Sequence, residues 1–185
     1  MDLTGLGAWL FRPGVRDVFR LETLDGYVST GDQPHYDRWR QGLTVEVNDA
    51  WRSWLDRIAD DASAGITRRR VHVMSEPLTE HNLFECGEQY TRNGRAGEEV
   101  RIMIASPAER AGLRDFWMLD REQVAVMDYD PTGRFRSAWI ADGPRPWTAL
   151  AWALWRSATP FEPWWAKQPH HHGRGSGGLI HGARL

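Results

Sequence analysis

Residues 68–85 read RRRVHVMSEPLTEHNLFE. Val71 and Val73 alternate with His72 and Met74, the two-residue period of a strand with two different faces. Ser75 suits the cap of a following helix, and Pro77 its first turn, where no backbone N–H is needed. That helix carries Leu78, Leu83, Cys86 and Tyr90 inward and ends at Asn93-Gly94. Residues 97–104, GEEVRIMI, return as a strand with Val100, Ile102 and Ile104 on one face. Strand, helix and strand at this spacing predict a parallel β-α-β unit and so an α/β fold.

Upstream, Asn48 caps a helix whose stripe is Trp51, Trp54, Leu55, Ile58, Ala59 and Ala62, stopped by Gly65. Both tryptophans on it are expected in the core. Residues 1–47 are weakly patterned, with a short helix from Pro34, and read as an extension anchored by Phe19, Leu21, Leu24 and Tyr27. Downstream, DFWMLD and VAVMDYD are strands joined by REQ, and the DPTG turn leads to RFRSAWI. This is an antiparallel three-strand meander, so the whole is one mixed sheet flanked by helices. From Pro146 a helix apolar nearly all round is expected to be buried on more than one side. The expected organisation is one globular domain over 1–165. It comprises the extension (1–47), an α/β core (48–145) and a Trp-rich C-terminal helix (146–165), with 166–185 a flexible Gly-rich tail.

A hydrophobic share of 41% and a charged share of 26% are those of an ordinary soluble protein. The net charge of −2 argues against direct nucleic-acid binding. No apolar run approaches the ~20 residues of a membrane span. The single cysteine, Cys86, rules out an intramolecular disulfide and fits a reducing, cytoplasmic setting. Tryptophan is abundant, with 11 residues, which makes aromatic anchors available to the core and to interfaces alike.

FRLETLDGY (19–27), RVHVMSEPLTEHNLFE (70–85), GEEVRIM (97–103) and DFWMLDREQVAVMDYDPTGRF (115–135) occur in that order. Together they resemble an uncharacterised actinobacterial domain family whose members are often encoded beside Xre-type helix-turn-helix regulators. The resemblance covers about 18–140 and implies a regulatory class without an assigned activity. WMLDREQVAVMD is also similar to one half of the phospholipase D fold. That fold's His-x-Lys pair is missing here, so the likeness implies architecture without phosphodiester chemistry.

His72, Glu76 and Asp120 are the candidate catalytic groups, a strand histidine and two carboxylates near strand ends. The packed or hydrogen-bonded histidine is the plainer reading of His72, and local turn chemistry that of Asp120. A ligand crevice is expected near Ser75, Glu76, Arg101 and Asp120, beyond the strand ends. His81 and Glu85 stand four residues apart on one helix, read as a solvated pair rather than metal ligands, and no metal or cofactor is expected. Arg68–Arg70 read as a solvated strand margin. Cys86 falls on the apolar stripe and reads as inert, and His170–His172 are assigned no native role. The leading expectation is a non-catalytic binding protein, a partner of a helix-turn-helix regulator, with Trp152, Trp164 and Trp165 at an interface or homodimer contact. The competing one is a small-molecule enzyme whose deep, aromatic-lined pocket holds at least two of His72, Glu76 and Asp120.

Overall fold

The computed structural model describes residues 1–28 and 31–168. The alternation around His72 is realised in β2 (Thr67–Met74), which pairs in parallel with β3 (Glu98–Ile104). On its other side β2 pairs in parallel with β1 (Asp17–Glu22). The meander of β4 (Phe116–Leu119), β5 (Gln123–Tyr129) and β6 (Phe135–Ile140) joins antiparallel to β1 through β4. A two-residue strand, β7 (Thr159–Pro160), closes the far edge against β3. The order is β6-β5-β4-β1-β2-β3-β7. The chain therefore builds the β-α-β unit, the meander and the single mixed sheet that its pattern predicts.

The N-terminal stretch differs from its reading as an extension. After a short α1 (Leu3–Leu10), β1 lies at the middle of the sheet, and it is followed by α2 (Gln33–Arg40). Phe19 and Leu21 do anchor the core, but as inward residues of that central strand. Asn48 caps α3 (Asp49–Ser63) as expected, its side chain accepting from Trp51 N.

The helix between β2 and β3 runs as α4 (Glu80–Phe84), a π segment (Glu85–Tyr90) and α5 (Thr91–Ala96). Its cap is Thr79 in a reciprocal box with Asn82, one turn later than Ser75. Ser75 N instead donates to Asp25 Oδ1 at 2.8 Å, which ties the segment to the loop after β1. A one-turn α6 (Pro107–Arg110) precedes the meander.

One sheet face is apolar. Phe19, Leu21, Val71, Val73, Phe116, Met118, Val124 and Val126 pack under α7 (Arg145–Ser157) through Ala151, Leu154 and Trp155. α7 is buried on this side only, since Ala149 and Ala153 are exposed. Alanine there serves helix propensity rather than burial. After β7, α8 (Phe161–Trp165) packs Phe161 and Trp165 with Tyr90 and Ile102. Residues 166–168 finish that turn with backbone hydrogen bonds, and the rest of the expected tail, His170–His172 included, lies outside the described residues. No helix among the described residues is long and apolar enough to cross a membrane.

Candidate functional site

The opposite sheet face is charged. Alternation on β1 puts Arg20 and Glu22 there, and on β2 it puts Arg68, Arg70 and His72 there. The parallel register sets Arg20 beside Arg70 and Glu22 beside His72. Two guanidiniums on adjacent strands are tolerable only with carboxylates between them. Glu22 Oε1 takes Arg70 Nη1 at 2.7 Å and lies 3.4 Å from Arg20 Nε. Arg70 also pairs with Glu98 at 3.1 Å, and Arg20 Nη2 donates to Asp115 Oδ2 and Tyr129 Oη at 3.0 Å each. Asp115 further accepts from Thr23 N, Thr23 Oγ1 and Tyr27 Oη. Burial alone raises the pKa of Glu22, but the fields of Arg70 and Arg20 outweigh it and hold that carboxyl well below its usual range.

The Arg68–Arg70 run is therefore no solvated margin. Arg68 is buried against Asp61 at 2.6 Å, Arg70 is buried in the network, and Arg69 pairs with Asp17 on the other face. His72 is wholly enclosed. Its Nε2 donates to Leu24 O at 2.8 Å, and its Nδ1 meets Tyr90 Oη at 2.6 Å, which in turn donates to Glu22 Oε2.

Over this face lies a cleft of about 580 Å³. Arg20, Glu22, Arg70, Met127 and Tyr129 contribute from the sheet, and Trp51 and Trp54 from α3. Facing them is a row spaced by four, His81, Glu85, Gln89 and Asn93. On an ordinary helix of about 3.6 residues per turn such a row drifts sideways, and the wider π segment offsets the drift. Thr91 Oγ1 donates to Cys86 O there, satisfying a carbonyl in the irregular turn. His35, Tyr27, Arg134 and Phe135 complete the lining. The rim is fixed where Val28 N donates to Gly133 O. Gly133 sits at φ 84°, and a Cβ there would come 2.6 Å from Gly26 O, so only glycine fits.

Glu85 is buried, with Oε1 3.5 Å from His81 Nε2 and Oε2 3.7 Å from His72 Nδ1; Oε2 has no hydrogen-bond partner. Burial opposes charge on His81, but the hydrogen bond and field of Glu85 outweigh it and raise the pKa above the usual 6.5. A raised histidine pKa stabilises the fold fully below the unfolded value and loses that contribution as pH rises through the folded value. The stability difference between wild type and His81→Gln, from urea melts, is accordingly expected to be larger at about pH 5.5 than at about pH 8. An equal difference at both would show that the pair is not linked to folding. Cys86 is enclosed, and burial pushes its thiol up, leaving it a poor nucleophile.

The residues singled out from sequence do not converge. His72 lies outside the cleft lining, and Glu76 is exposed beyond the C-terminal end of β2. Asp120 is at the opposite end of the sheet, at φ 53°, accepting from Arg16 N and Asp17 N. Arg101 is on the α7 face, stacked over Trp155 at 4.2 Å and donating to Trp155 O. Ser75, Glu76, Arg101 and Asp120 thus share no crevice. The antiparallel insertion of β4 carries Asp120 away from the C-terminal ends of β2 and β3. Trp152 and Trp164 are half-buried and Trp165 is buried. Among the described residues, no three of His, Cys, Asp or Glu are grouped to hold a metal ion.

The groups that do converge are others: Trp51 and Trp54, expected in the core, Glu85, expected in a solvated pair with His81, and Arg20 and Glu22, to which the sequence pattern attaches no role. For Arg20 and Glu22 a signal is present in the chain, as charges at alternate positions of FRLE. A family model described as a domain of unknown function, DUF6879, matches residues 8–166. No curated protein and no solved structure matches the chain.

Proposed function

The chain belongs to the DUF6879 family, and from that premise we propose a non-catalytic ligand-binding domain with a regulatory role, its small-molecule site being the cleft over the charged sheet face. The observation that carries this reading is the cleft itself. At about 580 Å³ it falls within the ~300–1,000 Å³ of small-molecule sites, with tryptophans on one wall and charged and amide side chains on the sheet floor and the facing row. A network in which each arginine is held by two carboxylates suits recognition, because its geometry is set before a ligand arrives. It suits proton transfer poorly, and none of His72, Glu76 and Asp120 lines the cleft. A helix-turn-helix regulator as partner in the cytoplasm rests on the resemblance of the sequence motifs. Trp152 and Trp164, half-buried, are the side chains proposed for that contact or for a homodimer.

The test is a thermal-shift screen of the full chain against metabolites, with light scattering on the same samples. A ligand at a hundred times its Kd adds about 2.7 kcal/mol, which for a chain of this size raises Tm by roughly 5–10 °C. A hit whose shift disappears on Trp54→Ala locates it in the cleft. Shifts from no compound at millimolar concentration would overturn the reading.

A further inference from the structure

We propose that the cleft's ligand is a small organic cation, a protonated amine or guanidine, held by Glu85 against the aromatic wall of Trp51 and Trp54. This rests on the ligand-binding reading above and names the ligand's chemistry.

The charge balance comes first. Arg20 and Arg70 are the two guanidiniums on the sheet floor, and they are met by three carboxylates, Glu22, Glu98 and Asp115. Glu85 is a fourth, and its neighbours within ion-pair distance are histidines rather than arginines. Asp32 and Arg134 also line the cleft, one charge of each sign. Glu85 is therefore a lining carboxylate that no arginine pairs within ion-pair distance, a charge that a cation would neutralise and an anion would aggravate.

Hydrogen-bonding capacity is the second, independent observation. Glu85 and Asn93, both 4% exposed, line the same wall, and each holds an oxygen without a donor, Oε2 and Oδ1. The orientation of Asn93 is not arbitrary. Its Nδ2 donates to Glu98 Oε2 at 2.8 Å, and a carboxylate can only accept, so Oδ1 must be the free end. The row thus offers acceptors, which call for an N–H-bearing ligand. Arg20 Nη1 also lacks a partner, but that guanidinium is already neutralised by Asp115 and Glu22 and lies over the Trp117 ring at 5.1 Å. Tryptophan faces are the best aromatic surface for a cation. A guanidinium already lies over one face of each ring, Arg92 over Trp51 at 5.1 Å and Arg68 over Trp54 at 5.2 Å, which leaves the opposite faces for a ligand.

The experiment compares charge-matched compounds on the full chain by thermal shift and calorimetry. Phenethylamine, phenylpropionate and phenylethanol form the first set, extended to metabolite amines and guanidines with their acidic and neutral analogues. Amines or guanidines are expected to bind saturably, with affinity falling tenfold or more in Glu85→Gln. Gln89→Lys, which places a tethered ammonium beside Glu85, is expected to abolish binding. That variant keeps the test decisive should Glu85→Gln fail to fold. Saturable binding of acids in preference to amines would overturn the cation and leave the cleft reading standing. Amine binding unchanged in both variants would also overturn it. Silence from every class would overturn both.

Discussion

Replacing Glu22 with Ala is expected to cost about 3–5 kcal/mol of folding stability. The carboxylate is the shared acceptor of Arg70 Nη1 and Arg20 Nε, and it takes the Tyr90 hydroxyl on its other oxygen. Removing it leaves two buried guanidiniums with less compensation, and neither can shed its proton. With a typical urea dependence, the midpoint falls by roughly 2 M. Glu22→Gln should sit between, keeping shape and an acceptor but no charge. The charge also sets an acid limb. A depressed carboxyl pKa gives stability present above the unfolded value of about 4.5 and lost as pH falls through the folded value. Glu22→Ala should therefore flatten that limb. A loss under about 1 kcal/mol would show that solvent reaches the pair. The combined variant Arg20→Met, Glu22→Leu, Arg70→Met, Glu98→Gln, Asp115→Asn should recover much of the loss, because both arginines and all three of their carboxylates lose their charge together. If the cleft binds as proposed, the same variant binds no ligand, which separates what these charges do for the fold from what they do for the site.

That network also marks where the sequence stops being legible. The β-α-β unit, the meander and α3 each have apolar residues on a single period, so local pattern is enough to find them. In β1 the alternate positions are Val18, Arg20 and Glu22, and a local reading sends charges outward. They turn inward because Glu22 finds Arg70, 48 residues away, and Arg20 finds Asp115, 95 residues away. No local window contains either pair. Trp51 and Trp54 fit a core stripe because a cleft wall and a core wall require the same spacing. Glu85 reads as a solvated partner of His81 until tertiary contacts bring His72 beside it and set Tyr27 against both histidines. The crevice expected beyond the strand ends failed for a topological reason. It presumed that Asp120 arrives at the same end of the sheet as Ser75, whereas β4 runs antiparallel to β1 and ends beside Asp17.

Phe116→Ala is expected to cost as much as the loss of Glu22, about 3–5 kcal/mol, by a different route. Phe116 is fully enclosed on the apolar face, stacked with Phe19 at 5.9 Å between centroids and edge-on to Trp147 at 5.3 Å. Truncation opens a cavity between the sheet and α7 and breaks both ring contacts. Thermal melts should show Tm lower by roughly 6–20 °C, whereas Phe116→Leu should lose less because more of the volume is kept. The neighbouring Trp117 provides the contrast. One residue along β4 it turns to the other face, under the Arg20 guanidinium, so Trp117→Ala should disturb the cleft floor as well as the fold. Measured below its own midpoint, Phe116→Ala should bind any cleft ligand with wild-type affinity, and Trp117→Ala should not. Equal loss of binding in both would mean that the two sheet faces are coupled through α7 and that the cleft is not an independent site.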